Sequence, residues 1–322
     1  MKYGIFTFLI ICLFSCNNEL NIVETYKDIP VVYGMLSVNE DVQYIRVEKA
    51  FIDENISGFE IAKIPDSIYY QDAIVSLENV NTGATVNLTM VDATNDGFGR
   101  EEGVFATNPN YLYKISSSEL DLTPGTPYKL IIERSDVLPI VEAQTILIDE
   151  TRFLSPSPNT SNIDFNYTQF NTFRWRNDGA AIYDLLMRIN YRERINGGTF
   201  ESKSVLWPVA KNVEDIEFQT IGQNFYSFIA GSLSNGPEFD RRFDNVDVIL
   251  DAAGVELLEF NRIASANLGI TSSQDVPTFS NLSEGLGIFS SKSRSEIFGI
   301  GLSPKSLDSL MNGQITQSLN FN

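Results

Sequence analysis

The chain has 322 residues, 43% hydrophobic and 11% aromatic, with a formal net charge of −19. That length and apolar content build one large or two ordinary domains around real cores. So acidic a surface repels phosphate backbones and argues against a nucleic-acid partner. The chain also contains no histidine, which removes Ser-His-Asp and Cys-His nucleophiles, His-ligated zinc and His proton shuttles together.

At the N-terminus, Lys2 precedes the apolar run Ile5 to Phe14, shorter than the roughly 20 residues a spanning helix needs. The run meets Leu13-Phe14-Ser15-Cys16. This resembles the bacterial lipobox, a cysteine after a small residue with Leu three positions before it; the bulky Phe14 departs from the usual pattern. The resemblance implies a lipoprotein signal peptide over 1–15, cleavage before Cys16, and acylation of its sulfur and new amino group. Each buried CH2 of such chains adds about 0.8 kcal/mol of membrane attachment. Cys12, the only other cysteine, falls in the discarded segment, so the mature chain carries no disulfide. Removal of Lys2 leaves 22 cations against 42 acids, a mature charge of −20. Residues 16–26 then form the lipidated cysteine and a polar tether.

From residue 27 the pattern is strand-like. In YIRVEKAF, Ile45 and Val47 alternate with Arg46 and Glu48, as in a half-buried strand. IVSLENV and ATVNLTMVD flank the turn NVNTG and predict a hairpin, with Val86, Leu88 and Met90 facing one way. YLYKISSS is a further strand. LTPGTPYKLIIER feeds another, with Tyr128, Leu130 and Ile132 inward, and PIVEAQTILI follows. The Pro-Gly turn before a Tyr-x-Leu strand looks like the penultimate strands of fibronectin-type and prealbumin-like modules. The expected fold of 27–149 is an immunoglobulin/fibronectin-like β-sandwich.

LSPSPNTSNID (154–164) reads as a linker. Residues 150–322 are expected to form a second β-rich domain with a few short helices. AIYDLLMRINYRE places Tyr183, Leu185, Met187, Ile189 and Tyr191 on one strand face. TIGQNFYSFIAGSL has helical spacing through Phe225, Phe228, Ile229 and Leu233, and VDVIL is a strand. AGVELLEFNRIASANLG predicts a helix ended by Gly269. SPKSLDSLMNG predicts another, with Ser303 as N-cap, Pro304 at its first position and Gly313 past its end.

Three stretches resemble functional motifs. VDATNDGFGREEG matches EF-hand positions 1, 5 and 6 through Asp92, Asp96 and Gly97, but has Thr94 at position 3 and Gly103 at position 12. Asp92, Asn95, Asp96, Glu101 and Glu102 make an irregular Ca²⁺ loop the candidate metal site; the bland alternative is a solvated loop with a left-handed Asn-Asp-Gly turn. No other cofactor is expected. GLGIFSSKS (285–293) fails as a phosphate loop at Ser290 and Ser291. It reads instead as a tight turn whose small residues let backbone pass close to backbone. FNYTQFNTFRW concentrates aromatics, and Tyr167, Phe173 and Trp175 are a candidate aromatic binding patch for a glycan, against the alternative that they are core.

The segment VPTFSNLSEGLGIFSSKSRSEI (276–297), with Ser280-Asn281-Leu282 ahead of Gly285-Leu286-Gly287-Ile288-Phe289, resembles the closing motif of a family of uncharacterised Bacteroidota outer-membrane lipoproteins. The lipobox, the early strand VVYGMLSV (31–38), the strand running VSLEN after Asp72-Ala73 and the PGTPYKL turn are similar too. The resemblance implies a lipid-anchored envelope protein, often encoded beside TonB-dependent transporters, with no known reaction and no catalytic residues to carry over. The expectation is an outer-membrane lipoprotein serving as a non-enzymatic accessory subunit of a β-barrel partner. The alternatives are a glycan- or nutrient-binding surface lipoprotein and a carboxylate-dependent hydrolase, for which no acid spacing stands out. With a single acid, Glu19, near Cys16, the membrane face stays open.

Overall fold

Alternation of apolar and polar residues, repeated along the chain, yields sixteen strands in a computed structural model that describes residues 28–50, 56–266 and 278–322. The lipobox with Cys16, the tether and Gly269 lie outside the described residues. In the first half the strands are β1 (Pro30–Ser37), β2 (Val42–Lys49), β3 (Ile74–Asn79), β4 (Ala84–Asn87), β5 (Thr89–Asp92), β6 (Tyr111–Ser116), β7 (Pro127–Glu133) and β8 (Val141–Ile146). In the second they are β9 (Arg152–Ser155), β10 (Asn162–Ile163), β11 (Phe170–Arg176), β12 (Ile182–Ile195), β13 (Glu201–Val213), β14 (Glu217–Ile221), β15 (Phe239–Ala253) and β16 (Leu286–Leu302). The helices longer than two turns are α1 (Gln223–Ser232), α2 (Val255–Ala266) and α3 (Pro304–Asn312). The fold is mainly β with a few short helices, as expected.

A nine-stranded sheet in the order β13-β12-β15-β16-β1-β2-β6-β5, with β10 beside β16, draws strands from both halves of the chain. A four-stranded sheet, β4-β3-β7-β8, packs on it to form the N-terminal sandwich. Val32, Leu36, Ile45 and Val47 of the large sheet meet Val75, Leu77, Tyr128, Leu130 and Ile132 in one buried cluster. A three-stranded sheet, β14-β11-β9, and helices α1 and α3 cover the same side of the large sheet further along. There Tyr183, Leu185, Met187, Ile189 and Tyr191 form the expected inward face of β12.

Strand β16 joins the two cores. Its first part pairs parallel with β1, its second antiparallel with β15. The Gly-Leu-Gly-Ile-Phe stretch is therefore no turn but the start of a central strand. Its small residues still serve close approach: a Cβ on Gly287, at φ +121°, would lie 1.9 Å from the Val32 carbonyl oxygen. Ser291 and Ser293, both buried, stitch the junction. The Ser291 hydroxyl donates to the Ile146 carbonyl at 2.8 Å, and Ser293 Oγ accepts from the Thr151 N–H at 2.9 Å.

Two further expectations change. Strand 84–92 breaks at Leu88: β4 pairs with β3, whereas β5 crosses to pair with β6 in the large sheet, the way sandwich corners are made. The segment 154–164 holds the end of β9 and all of β10, which is tied to β16. The cap of α3 is as read: Ser303 Oγ accepts from the Ser306 N–H at 3.2 Å.

Candidate functional site

The aromatic patch of the sequence is core. Alternation along β11 turns Phe173 and Trp175 inward, where they are 2% and 0% exposed, and Trp175 packs against Tyr183 at 5.3 Å between ring centroids. Tyr167 is half-buried and stacks on Tyr226 at 4.7 Å. These three side chains present no shared outer surface.

The five calcium candidates do not converge either. Asp92 accepts from the backbone N–H of Thr94 at 3.2 Å and of Asn110 at 3.1 Å, and the bonds from Thr94 hold its carboxyl below the usual range. Asp96 accepts from Lys114 Nζ at 2.7 Å and the Tyr44 hydroxyl at 2.8 Å. The Lys114 bond, then that of Tyr44, lowers its pKa. Asn95 turns back on the Asp92 carbonyl, and Glu101 and Glu102 are exposed. Among the described residues, no group of three or more acidic or cysteine side chains is placed to hold a metal. Asp96 fastens the loop to β2 and β6, and Asp92 closes it through the Thr94 and Asn110 N–H groups.

The outer face of the nine-stranded sheet carries a different site. At one end α2 covers it, burying Leu258 against Ile182 and Ala253. At the other the 93–110 loop covers it, with Phe98 against Tyr44 at 4.6 Å and Arg100 paired with Glu48. Between these covers runs an open groove of two lobes. The lobe beside α2 is about 600 Å³ and the lobe beside Phe98 about 550 Å³, and Met35, Glu40 and Lys292 line both. Lys292 donates to Glu40 at 2.6 Å, so this ion pair divides one lobe from the other.

Strand register fixes the first lobe. Asp184, Asp251 and Arg294 stand in one row across β12, β15 and β16, and Leu186, Ile249 and Glu296 in the next. Arg294 clamps Asp251 with two bonds of 2.6 and 2.8 Å, and this contact raises the Arg294 pKa. Asp184 accepts from the Asn212 N–H at 2.8 Å, whereas Glu296 makes no ion pair among the described residues. Two cations, Lys292 and Arg294, thus face four carboxylates, Glu40, Asp184, Asp251 and Glu296. Amides from Asn39, Asn212 and Asn261 complete the wall. The second lobe is apolar: Tyr33, Tyr44, Phe98, Val42, Met35 and Ile288 line it, with Asp41 at its edge. Tyr33 is 48% and Phe98 47% exposed, large apolar surfaces left facing water.

Sequence reasoning missed this groove. Its local signal is the outward member of each alternating pair, Tyr33 in VVYGMLSV and Tyr44 in VQYIRVEK, aromatic where a solvated face would be polar. The spatial signal, β1 beside β16, has no local trace.

No protein-family model matches the chain, and no curated protein matches it. Among solved structures, the chain is similar to the crystal structure of the FN1–FN3 domains of chicken CNTN1. The identity is 9%, the match covers 86% of this chain and 67% of that one, and the TM-score is 0.17. A likeness at that score carries no argument.

Proposed function

We propose that the protein is a lipid-anchored lipoprotein of the outer membrane that acts as a non-enzymatic binding subunit beside a β-barrel of the TonB-dependent type. The lipobox ending at Cys16 and the resemblance to Bacteroidota envelope lipoproteins support the anchor and the setting. The observation that carries the binding role is the two-lobed groove, of a size that takes a ligand. Three of its four carboxylates, Asp251, Glu40 and Asp184, serve as clamps for Arg294, Lys292 and the Asn212 N–H, which favours holding a ligand over transforming it.

The test is affinity purification of the tagged full chain from native membranes in mild detergent. A β-barrel recovered in near-equal amount supports the reading. No stoichiometric partner under gentle extraction counts against it.

One observation favours a second reading, a glycan- or nutrient-binding surface lipoprotein: the exposed rings of Tyr33 and Phe98 in the second lobe suit stacking on a sugar. A glycan array probed with wild type and with Tyr33→Ala separates the readings, because a sugar ligand would be lost with the ring.

A further inference from the structure

We infer that the groove takes an extended peptide segment of a protein partner, with a Lys or Arg side chain entering the first lobe and an apolar or aromatic side chain the second. This rests on reading the protein as a binding module and goes further by naming what the groove holds. Three features of the groove lead to it.

The first is charge. Four carboxylates against two cations leave the first lobe with an excess of two negative charges. The excess does not come from a generally acidic face. Elsewhere on the outer side of β12 and β15, Arg188, Arg192 and Arg194 match Asp247, Asp244 and Asp240 one for one. In the first lobe Arg294 and Lys292 are matched by Asp251 and Glu40, and Asp184 and Glu296 are left over, with no ion pair among the described residues. An ammonium or guanidinium supplies the missing charge; a neutral sugar does not.

The second is the change of chemistry across the Lys292–Glu40 pair. One side offers carboxylates and the amides of Asn39, Asn212 and Asn261; the other offers Tyr33, Phe98, Met35 and Ile288. A ligand that fills both lobes must itself be polar and cationic at one end and apolar at the other. Alternate side chains of an extended peptide point to one face, so a single strand can present both groups while its backbone spans the ion pair.

The third is the wall of side-chain amides. Asn39 spends its carbonyl oxygen on the Ser293 hydroxyl and the Arg294 N–H, at 2.9 and 3.2 Å, which leaves its amino group for a peptide carbonyl.

The experiment titrates the full chain in mild detergent with three fluorescent nonapeptides: one alternating Lys and Phe with Ser, one with Glu for each Lys, and one with Gln for each Lys. The inference predicts that the Lys–Phe peptide binds at least tenfold more tightly than either of the others. Glu296→Gln combined with Asp184→Asn is expected to weaken that binding at least tenfold, and Tyr33→Ala to weaken it similarly without restoring the Gln peptide.

Net charge is controlled by Glu201→Gln with Glu238→Gln, which removes two exposed carboxylates that line neither lobe. Equal weakening by this control, or equal binding of the Lys and Gln peptides, would overturn the inference, as would a glycan displacing the Lys–Phe peptide from the groove. Recovery of a membrane partner that is unaffected by the groove variants would sink this inference while leaving the accessory-subunit reading intact.

Discussion

The two faces of the nine-stranded sheet are built from the same strands and differ in what their alternate residues meet. On the inner face, Val246, Val248 and Leu250 of β15 are 0% exposed inside a cluster that also holds Trp175, Phe225 and Tyr226. On the outer face, one residue along, Asp247, Asp251, Arg294 and Lys292 carry ion pairs, and Tyr33 stands 48% exposed. The inner face is closed by two sheets and two helices. Among the described residues, the outer face is covered at its ends, by α2 and by the 93–110 loop with the segment around Tyr69 packed on it, and the groove lies between these covers. On the proposed reading, stability and binding are divided by strand parity. A substitution on one face should move one property and spare the other.

The largest effect expected is on the inner face. Trp175→Ala empties a fully buried site and is expected to cost about 3–5 kcal/mol in urea unfolding. Loss of ligand capture from the folded fraction, in place of loss of stability, would blur the division.

An effect of similar size is expected at a buried charged cluster on the inner side. Glu193, 6% exposed, accepts from Arg241, which is 1% exposed and also donates to the Leu319 carbonyl, and from Lys203. Burial alone would raise the Glu193 pKa, but the bonds from Lys203 and Arg241 outweigh it and hold the value down. A carboxylate with a depressed folded pKa contributes stability above its ordinary value of 4.5 that is lost as pH falls through the lower folded value. Glu193→Leu leaves Arg241 buried without its counter-charge and is expected to cost about 3–5 kcal/mol near neutral pH. Unfolding curves from pH 7 down to pH 3 should show wild type converging on the variant. Parallel curves would mean that the pair contributes no pH-dependent stability.

On the outer face the expected stability effects are small. Tyr33→Ala removes an exposed ring and should shift the unfolding free energy by no more than about 0.5 kcal/mol, while abolishing capture in the groove. A loss of several kcal/mol would show that Tyr33 belongs to the core after all.

Smallest is the loop anchor. The Asp96 carboxylate, with its pKa lowered by Lys114 and Tyr44, holds the 93–110 loop against β2. The anchor stands above the ordinary aspartate value of 3.8 and is released as pH falls through the lowered one. Asp96→Asn should speed amide exchange in the loop at neutral pH while leaving global stability unchanged. Unchanged exchange would mean that other contacts hold the loop.

How much of this was legible in the sequence follows the same division. Inward residues announce themselves by alternation, since a buried strand face tolerates only apolar side chains. Tyr128, Leu130 and Ile132, and the five inward residues of β12, are where their spacing places them. Phe173 and Trp175 obey the same alternation, and so sit in the core and not in an exposed patch. The calcium pattern misled because a short acidic loop meets its carboxylates' needs equally well with backbone N–H groups and Lys114. The groove was illegible for a topological reason. Its residues come from β1, β2, β12, β15 and β16, and the parallel pairing of Val31 with Leu286 and of Ser37 with Lys292 spans most of the chain. The glycines that allow this pairing were visible as a demand for close approach, but not which backbone approaches.

The central claim is that the outer face between α2 and the 93–110 loop is the surface that meets the partner, and site-specific photocrosslinking in native membranes tests it most directly. The chain holds two cysteines, Cys12 in the segment that the proposed processing removes and Cys16, which the proposed anchor occupies with lipid, so Tyr33→Cys can be labelled with a benzophenone maleimide. Val137→Cys, 89% exposed in the turn between β7 and β8 and away from the groove, serves as the control. The account predicts one dominant crosslinked product from position 33, containing a β-barrel protein, and none from position 137. The same product from position 137, with nothing from position 33, would contradict it.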